Sequence, residues 1–360
     1  MTPDFTKVHN RFKFNGLHFN HEELKEVAYS LIKEGLPYEK IIGDFLTDWL
    51  NTNGYVFVNT SGSTGQPKRI KLSKQAMVNS AIATGDFFNL KPGDKALLCL
   101  PSEYIAGKMM LVRALILGLE LDYIQPNSSL DLDTSKHYQF SAMVPLQVSN
   151  SINNLSNIDT LIIGGSPVSS ELRKKITDID TKCYETYGMT ETITHVAVKT
   201  LASKAQNEQS YFNALPHISF YKDDRDCLVI SAPRLGSAPF ITNDIVELVS
   251  ETTFKWLGRY DTIINSGGVK LIPEQIEAKL KPLIKDRFIV SAIPHKELGE
   301  QLILIVENTD IDADALYTKI KRLQSLTKFE VPKEIFTLKQ LVETQNGKIQ
   351  RQKTTELVIS

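Results

Sequence analysis

The sequence predicts an α/β fold (α+β overall). Its large N-terminal domain has parallel α/β layers and a small β unit, and its C-terminal domain is small and α+β. In the first half of the chain, short apolar runs alternate with segments of helical apolar spacing, which favours a mainly parallel sheet. After about Asn207 the pattern changes to short strands joined by turn residues, and near Gly258 a second composition begins.

The apolar runs and helical patterns of the large domain follow one another in order. Residues 21–50 have helical spacing with a break at Pro37. Residues 55–59 form a short apolar run that leads into a Gly/Ser/Thr cluster, which predicts a strand entering a loop. The same reasoning predicts strands at 96–100, 121–124, 142–144 and 161–163, and helices at 74–88, 107–119 and 169–178.

The second half of the chain has a different pattern of predicted elements. Strands are predicted at 227–231, 245–250 and 253–257, and these form the small antiparallel unit. Beyond the Gly-Arg-x-Asp turn at 258–261 we predict a helix at 272–280, opened by Pro273, a strand at 302–307 and a helix at 313–325. The predicted domains are therefore residues 1–258 and 259–360.

Composition excludes several classes of protein. The chain has 360 residues, 42 % of them hydrophobic, which suffices for a sizeable core. The 41 basic and 42 acidic residues leave a net charge of −1, so we expect small-molecule partners and no nucleic acid. Cys99, Cys183 and Cys227 are odd in number and form no C-x-x-C, which favours buried thiols over disulfides or a zinc site.

Nothing in the sequence indicates a membrane protein. The N-terminus shows no apolar h-region, and no apolar run approaches the ~20 residues that a span requires. The longest candidate, 109–119, is interrupted by Arg113 and is better interpreted as a buried helix. We expect a cytoplasmic enzyme, and the oligomeric state stays open, a homodimer included.

The strongest motif is Thr60-Ser61-Gly62-Ser63-Thr64-Gly65-Gln66-Pro67-Lys68. Glycines allow backbone N–H groups to point at an anion, while hydroxyls and an ammonium add further donors. This is the chemistry of a polyphosphate site. It does not fit the Walker pattern, because Pro67 precedes the lysine.

This segment resembles the phosphate loop of the adenylate-forming superfamily, which comprises acyl-CoA synthetases, peptide-synthetase adenylation domains and luciferases. Segments similar to the other family motifs follow in order. They are Gly164-Gly165-Ser166-Pro167, the Tyr184 to Glu191 element, Thr242-Asn243-Asp244, Gly258-Arg259-Tyr260-Asp261, Gly267-Gly268-Val269-Lys270 with Pro273 and Glu277, and Asn346 to Arg351.

The resemblance implies a role for each motif. Glu191 would be the ligand of Mg²⁺, with Thr190 at the α-phosphate, and Lys348 would be the catalytic lysine. The implied ATP and AMP contacts are the phosphate loop (Thr60, Ser61, Gly62, Ser63, Thr64, Gly65 and Lys68), Gly164, Gly165, Ser166, Tyr187, Gly188, Asp244 and Arg259.

The implied reaction has two steps. A carboxylate attacks the α-phosphate of ATP to give an acyl-adenylate and pyrophosphate, and the thiol of CoA then displaces AMP. The implied co-substrates and cofactor are thus ATP, CoA and Mg²⁺. The C-terminal domain would be a mobile lid that turns about Asp261, exchanging the Lys348 loop for the Gly267-Gly268 loop with Lys270.

Three residues are candidates for binding the substrate acid. Tyr104 stands in the family's L-P-x-x-H-x-x-G segment where a histidine is usual, and Lys108 and Arg113 follow. Among family branches the chain looks most like o-succinylbenzoate–CoA ligase of menaquinone biosynthesis, which is also compact. Lys108 or Arg113 would then bind the carboxylate that does not react. The alternative is that both are ordinary helix-surface charges.

The chain departs from the family pattern without losing a catalytic group, and two other functions stay open. The chain is short before the phosphate loop, and Arg69, Asn243 and Val342 replace the usual residues. One alternative is a stand-alone adenylation enzyme that loads a carrier-protein thiol with another aryl or acyl acid. A second is a non-catalytic nucleotide or acyl sensor, against which intact Glu191, Asp244 and Lys348 argue.

Overall fold

The computed structural model describes residues 3–59, 69–343 and 349–359. The predicted phosphate loop, Thr60 to Lys68, and Lys348 therefore lie outside the described residues. The chain divides into two compact units, the first comprising Met1–Tyr221, Val229–Phe240 and Leu248–Lys255, the second Lys222–Leu228, Ile241–Glu247 and Trp256–Ser360. The predicted boundary after residue 258 stays a prediction.

The first unit begins with two strands, two helices and an antiparallel strand pair, and then alternates helix and strand. The elements are β1 (Lys13–Phe14), β2 (Leu17–His18), α1 (His21–Glu34), α2 (Pro37–Leu50), β3 (Tyr55–Asn59), β4 (Arg69–Ser73), α3 (Lys74–Phe88), β5 (Lys95–Leu98), α4 (Ile105–Leu117), β6 (Glu120–Tyr123), β7 (Tyr138–Met143), α5 (Pro145–Ser151), β8 (Ile158–Ile163), α6 (Ser170–Ile176) and β9 (Lys182–Gly188).

Short strands follow, of which some carry residues of both units. These are β10 (His195–Thr200), β11 (Phe212–Ala214), β12 (Ser219–Lys222), β13 (Cys227–Ser231), β14 (Phe240–Ser250) and β15 (Thr253–Arg259). The second unit continues with β16 (Ile264–Ser266), β17 (Val269–Leu271), α7 (Pro273–Leu280), β18 (Phe288–His295), β19 (Gly299–Val306), α8 (Ala313–Lys321), β20 (Glu334–Thr337) and α9 (Arg351–Ile359).

The main sheet confirms the predicted α/β class. Its order through the first unit is β11-β10-β9-β8-β7-β5-β6-β1-β2. The strands β6, β5, β7, β8 and β9 pair in parallel, whereas β10 pairs antiparallel with both β9 and β11. The helices between consecutive strands provide the crossovers that parallel pairing requires.

Helix α4 lies in the middle of the core of this unit. Met109, Met110, Leu111 and Val112 are all fully buried. A helix that is apolar on every side must be covered on every side, so the predicted buried helix is confirmed. No helix among the described residues has the length and apolar character needed to cross a bilayer.

The cysteines behave as predicted. Cys99, Cys183 and Cys227 are free and buried. Burial raises the pKa of both Cys99 and Cys183 to about 12, so these thiols are protonated and unreactive at neutral pH.

The core of the second unit lies between its sheet and its helices. Strands β18 and β19 are paired antiparallel along their whole length, from Phe288 opposite Val306 to His295 opposite Gly299. The helix predicted at 313–325 ends early, at Lys321. The backbone N–H groups of Arg322 and Leu323 donate to carbonyls three residues back, so a tight turn replaces the last helical turn.

Arg351, at the start of α9, joins three elements of the second unit. Its guanidinium lies 2.5 Å from Glu277 Oε1 and 3.3 Å from Glu274 Oε1, both on α7, and it also donates to the carbonyl of Val290 on β18. Glu277 Oε1 in turn accepts from the Val290 N–H at 2.8 Å. The side chain is 22 % exposed, so this is a largely desolvated network.

We predict that Arg351→Met loosens the attachment of α9. Two carboxylates lose their cation, at a cost of about 2 kcal/mol, less than for a fully buried pair because Arg351 keeps some contact with water. Hydrogen exchange in peptides from α9 and β18 should accelerate about 30-fold. Lys222→Met, which removes an exposed pair with Asp226, is the control and should change exchange little. Equal effects of the two variants would contradict this role of Arg351.

Candidate active site

Several predicted site segments lie at one edge of the main sheet. Strands β5, β7, β8 and β9 are parallel, so their carboxyl ends meet at the same edge. The segments that follow these ends are residues 99–108, 144, 164–168 and 189–194. In open α/β sheets, ligands bind outside the carboxyl ends of the strands. The topology therefore brings the Gly164 loop, Thr190 and Glu191 to the edge at which Tyr104 and Lys108 also lie.

The loop after β8 passes very close to β9. The Gly164 N–H donates to the Met143 carbonyl at 3.1 Å, and a Cβ on Gly164 would lie 2.4 Å from Thr186 Oγ1. Packing against Thr186 therefore already excludes a side chain at Gly164. Gly165 has φ +88° and a built Cβ would meet only Val144, at 3.4 Å. Of the two glycines, Gly165 is the one whose exposed backbone can face a flat ligand.

The turn between β9 and β10 carries Thr190 and Glu191. Gly188 lies against the chain that returns from the turn, because a Cβ there would be 2.3 Å from the Thr194 carbonyl. Thr192 closes the turn, accepting from the Met189 N–H at 3.0 Å and donating to the carbonyls of Met189 and Thr194. Ile193 has φ +68°, a strained value for a β-branched residue. The turn is thus rigid, and it exposes the Glu191 carboxylate to solvent.

Tyr187 is held from one side by aromatic rings. Phe254 meets it edge-on at a centroid distance of 5.0 Å, and Phe212 lies 5.7 Å away. The residue is partly exposed, so a ring of fixed orientation remains accessible at the strand end next to Gly188. The stacking role that the resemblance implies for Tyr187 requires such an accessible ring.

Glu185 was not singled out from the sequence, yet it positions the Gly164 loop. Its buried carboxylate accepts from the Val168 N–H at 3.2 Å and lies 2.8 Å from Lys199 Nζ, and Arg173 also donates to it. Burial acts to raise the pKa of Glu185, but Lys199 and Arg173 outweigh burial and leave that pKa lowered. The signal that could have identified it is an acidic residue two positions after the apolar Cys183, and therefore on the same, buried face of β9.

Arg113 is not a helix-surface charge, and that alternative is wrong for this residue. Its side chain is 1 % exposed in the middle of α4. It donates to Thr84 Oγ1 at 3.3 Å, Thr194 Oγ1 at 3.4 Å and His195 Nδ1 at 3.5 Å. Burial lowers the pKa of Arg113 to about 9, so the guanidinium stays charged at neutral pH. The sequence analysis missed its partner His195.

Lys108 lies one turn into α4 and is only partly exposed. Its ammonium donates to the carbonyls of Ser102 at 2.6 Å and Glu103 at 3.1 Å, and it stands 5.2 Å from the ring centre of Phe45. These contacts satisfy much of its donor capacity within the segment before the helix. Tyr104 is the residue before α4, and its carbonyl accepts from the Lys108 N–H at 3.2 Å.

The second unit contains a cluster around Asp244. Trp256 Nε1 donates to Asp244 Oδ1 at 3.1 Å, and Arg259 lies 3.7 Å from the same oxygen. Arg259 also forms a bidentate pair with Asp261, at 2.9 and 3.0 Å. The predicted ribose ligand and the predicted hinge residue are therefore joined through one guanidinium. Asn243, which replaces the usual glycine, accepts from Arg225 at 3.0 Å.

The Gly267-Gly268 loop is the tight turn of a hairpin. Ser266 pairs with Val269, which leaves two turn residues, with φ +59° and +81°. Two successive left-handed residues define the turn type that glycine strongly favours. Lys270 follows on β17 and is exposed, opposite Asn265.

The donor set of the described residues fits magnesium better than a transition metal. No group of three or more His, Cys, Asp or Glu side chains among these residues could enclose an ion. Mg²⁺ is commonly bound by one or two carboxylates together with substrate phosphates and water. An exposed Glu191 on a rigid turn matches that requirement.

The chain is similar to known AMP-binding and AMP-forming enzymes. The family model of the AMP-binding enzyme matches residues 49–226. The chain is 34 % identical to an acyl-CoA synthetase (AMP-forming)/AMP-acid ligase II-like protein from Dyadobacter fermentans DSM 18053, with a TM-score of 0.61, over 93 % of this chain and 98 % of that protein.

Two further relatives have names that specify a substrate. A 2-succinylbenzoate–CoA ligase of Lactococcus lactis subsp. lactis (strain IL1403) is 25 % identical over 317 residues, covering 82 % of this chain and 69 % of the relative. O-succinylbenzoate coenzyme A synthetase (MenE) from Bacillus subtilis, in complex with ATP and magnesium ion, is 20 % identical with a TM-score of 0.67, covering 83 % and 69 %. The second likeness is one of fold.

We predict that Glu185→Gln destabilises the first unit by about 3 kcal/mol at pH 7, because Arg173 and Lys199 lose a buried partner. The native pKa is lowered from 4.5, so the carboxylate contributes its full stabilisation above pH 4.5 and loses it as the pH falls through the native value. The stability difference between wild type and variant should therefore shrink below pH 4.5 in urea titrations.

Glu208→Gln is the matched control. Glu208 also binds Arg173, at 2.8 Å, but its side chain is 50 % exposed. We expect that variant to cost less than about 1 kcal/mol. A pH-independent difference for Glu185→Gln would show that its carboxylate charge is not what stabilises the loop.

Proposed function

This chain belongs to the AMP-binding family of AMP-forming acyl-CoA synthetases, and from that membership we propose that it adenylates a carboxylic acid with ATP and passes the acyl group to CoA. A carboxylate is a poor acyl electrophile, because oxide does not leave. Attack on the α-phosphate releases pyrophosphate and gives a mixed anhydride. AMP is then a good leaving group for a thiol.

The observation that carries the proposal is the shared edge of the main sheet. The Gly165 backbone, the Tyr187 ring and the Glu191 carboxylate all lie at the carboxyl ends of β8 and β9. We assign the adenine to the Gly165 and Tyr187 side, with Ser166 and Gly188 beside them, and the phosphates to Thr190. Asp244, with Arg259, is our candidate for the ribose hydroxyls.

Magnesium is proposed at Glu191. When bound, the ion would offset the charge of the ATP phosphates, which favours approach of the anionic acid. The hydrogen bonds of Thr192 fix the turn that carries Glu191 at the sheet edge. From there the exposed carboxylate can reach an ion bound beside the phosphates.

The remaining roles fall on residues outside the described ranges or in the second unit. We propose that the segment Thr60 to Lys68 binds the polyphosphate and that Lys348 neutralises charge between acid and α-phosphate in the first step. For the thioester step we propose that Asp261 serves as the hinge of a mobile lid and that the Gly267-Gly268 turn with Lys270 serves CoA.

The acid we propose is o-succinylbenzoate, as in the relatives named for it. The support within this chain is Arg113, a fully buried cation next to the strand β10 that follows the Glu191 turn. A buried guanidinium favours a substrate that brings a second negative charge. Acetate, fatty acids and amino acids with an uncharged side chain offer no carboxylate beyond the one to be activated.

We predict that o-succinylbenzoate supports CoA- and Mg²⁺-dependent AMP release with a kcat/KM about 100-fold above that for acetate, a fatty acid or an amino acid. Each acid is incubated with ATP, Mg²⁺ and CoA, and AMP and thioester are measured by chromatography. A parallel arm replaces CoA with a phosphopantetheinylated carrier protein. Better turnover of a fatty acid would exclude o-succinylbenzoate, and a thioester formed only on the carrier protein would exclude CoA.

We predict that Glu191→Gln lowers kcat for adenylate formation about 100-fold or more and weakens its dependence on Mg²⁺, because an electrostatic contact to the metal is lost. ATP–pyrophosphate exchange measured across a Mg²⁺ titration tests this. Glu34→Gln is the control, since Glu34 is exposed at the end of α1. An unchanged Mg²⁺ titration in Glu191→Gln would remove Glu191 from the metal site.

A further inference from the structure

A buried imidazole stands between Arg113 and a cavity. His195, the first residue of β10, is 5 % exposed. Its Nδ1 lies 3.5 Å from Arg113 Nη2 and 3.3 Å from Thr194 Oγ1. A guanidinium can only donate, so Nδ1 accepts at this contact. In the neutral ring the proton is then on Nε2.

The neutral form is the one present at physiological pH. Burial and, secondarily, the charge of Arg113 lower the pKa of His195 well below 6.5. The ring therefore offers one acceptor, turned to Arg113, and one donor, Nε2–H, on the opposite edge. That donor is buried and meets no hydrogen-bond partner among residues 3–59, 69–343 and 349–359.

His195 lines a small cavity of the first unit. Its other walls are mostly apolar and include Ala83, Leu215, Ile218, Ala232 and Leu235. The exposed residues His217 and Arg234 also line it, so the lining extends to the protein surface. The volume of about 10 Å³ matches one oxygen-sized group. A polar tip of a ligand fits this space, whereas a bulky apolar end does not.

The charge of Arg113 behind the imidazole favours an anionic ligand group in the cavity. Among the described residues no carboxylate lies within ion-pair distance of Arg113, although its side chain is almost fully buried. A buried cation without a counter-ion is costly and is stabilised by an arriving anion. A ligand oxygen that accepts a hydrogen bond from Nε2–H would lie one imidazole ring away from that charge.

We propose that His195 is a specificity-determining residue whose Nε2–H donates to the non-reacting carboxylate of a dicarboxylic acid, with Arg113 as a positioning residue behind the ring. The proposal rests on the proposed function and deepens it by naming the group that recognises the second carboxylate. It also revises the prediction from sequence, in which Arg113 or Lys108 contacts that carboxylate directly.

The test compares two acids in three forms of the enzyme. The acids are o-succinylbenzoate and 4-oxo-4-phenylbutanoate, which has the same reacting arm without the ring carboxylate. The variants are His195→Gln, whose amide retains one acceptor and one donor, and His195→Met, which has a similar volume without the N–H donor. kcat and KM are measured for each acid, and KM for ATP.

We expect His195→Met to lower kcat/KM for o-succinylbenzoate about 100-fold, mainly through KM, because a charge-assisted contact is truncated on one side. The same variant should change kcat/KM for 4-oxo-4-phenylbutanoate by no more than roughly 3-fold and should leave KM for ATP unchanged. His195→Gln should recover o-succinylbenzoate turnover to within about 10-fold of wild type.

Equal losses for both acids, or none for either, would overturn the proposal and leave His195 as a residue that only packs beside Arg113. Thermal unfolding verifies the fold of each variant. If His195→Met does not fold, His195→Asn replaces it, because its shorter amide does not reach the position of Nε2. Failure of the proposed function looks different. Wild type then shows no preference for o-succinylbenzoate over acids with one carboxylate, which removes the proposed acid together with the role of His195.

Discussion

The parallel pairing of β5, β7, β8 and β9 is the constraint on which the candidate site depends. Parallel strands end at the same edge, so segments that are far apart in the sequence, such as those after β5 and β9, emerge at one edge of the sheet. The register sets Ile163 opposite Glu185, which places the Gly164 loop next to Thr186. A shift of one residue would turn every side chain of β9 to the opposite face. The same shift would bring the backbone of the loop against a different side chain.

The strand order brings the site segments to one edge, and contacts of buried charged residues then fix their positions. Glu185 forms ion pairs with Lys199 and Arg173. Its carboxylate also accepts a hydrogen bond from the Val168 N–H at the end of the Gly164 loop. This is a satisfied network, in which low dielectric strengthens every contact. Arg113 lies in a comparably buried place without such compensation among the described residues. The Glu185 network therefore stabilises the structure by itself, whereas the charge of Arg113 remains uncompensated within the described ranges, behind the His195 ring.

The glycines of the motifs also fall into two groups, those explained by packing and those with a left-handed backbone. Gly164 and Gly188 have no side chain because a neighbouring chain occupies the space, and neither requires a ligand to explain it. Gly165, Gly267 and Gly268 have left-handed φ values, and a built Cβ meets nothing closer than 3.2 Å at any of them. A motif glycine is therefore not by itself a sign of nucleotide contact. Only the surrounding atoms distinguish packing from binding.

The sequence by itself determined the fold class, most helices and several strands, because their apolar periods are set by local geometry and burial. The longer strands β9 and β18 were not predicted. Helix α3 was predicted to the residue, and α1 and α2 were separated correctly at Pro37. The order of motifs indicated the family, since spaced Gly, Thr, Asp and Lys residues carry that information without coordinates. The short strands β10, β11 and β12 were missed, because a run of three to six residues stabilised by its neighbours has little periodic signal of its own.

Only the tertiary structure decided which polar residues are buried and what they contact. Arg113 was interpreted as either a surface charge or a ligand, and His195 and Glu185 were not considered. Thr194 and His195 lie more than 80 positions from Arg113, and the ionic partners of Glu185 lie on two other elements, α6 and β10. Linear spacing does not encode such long-range contacts.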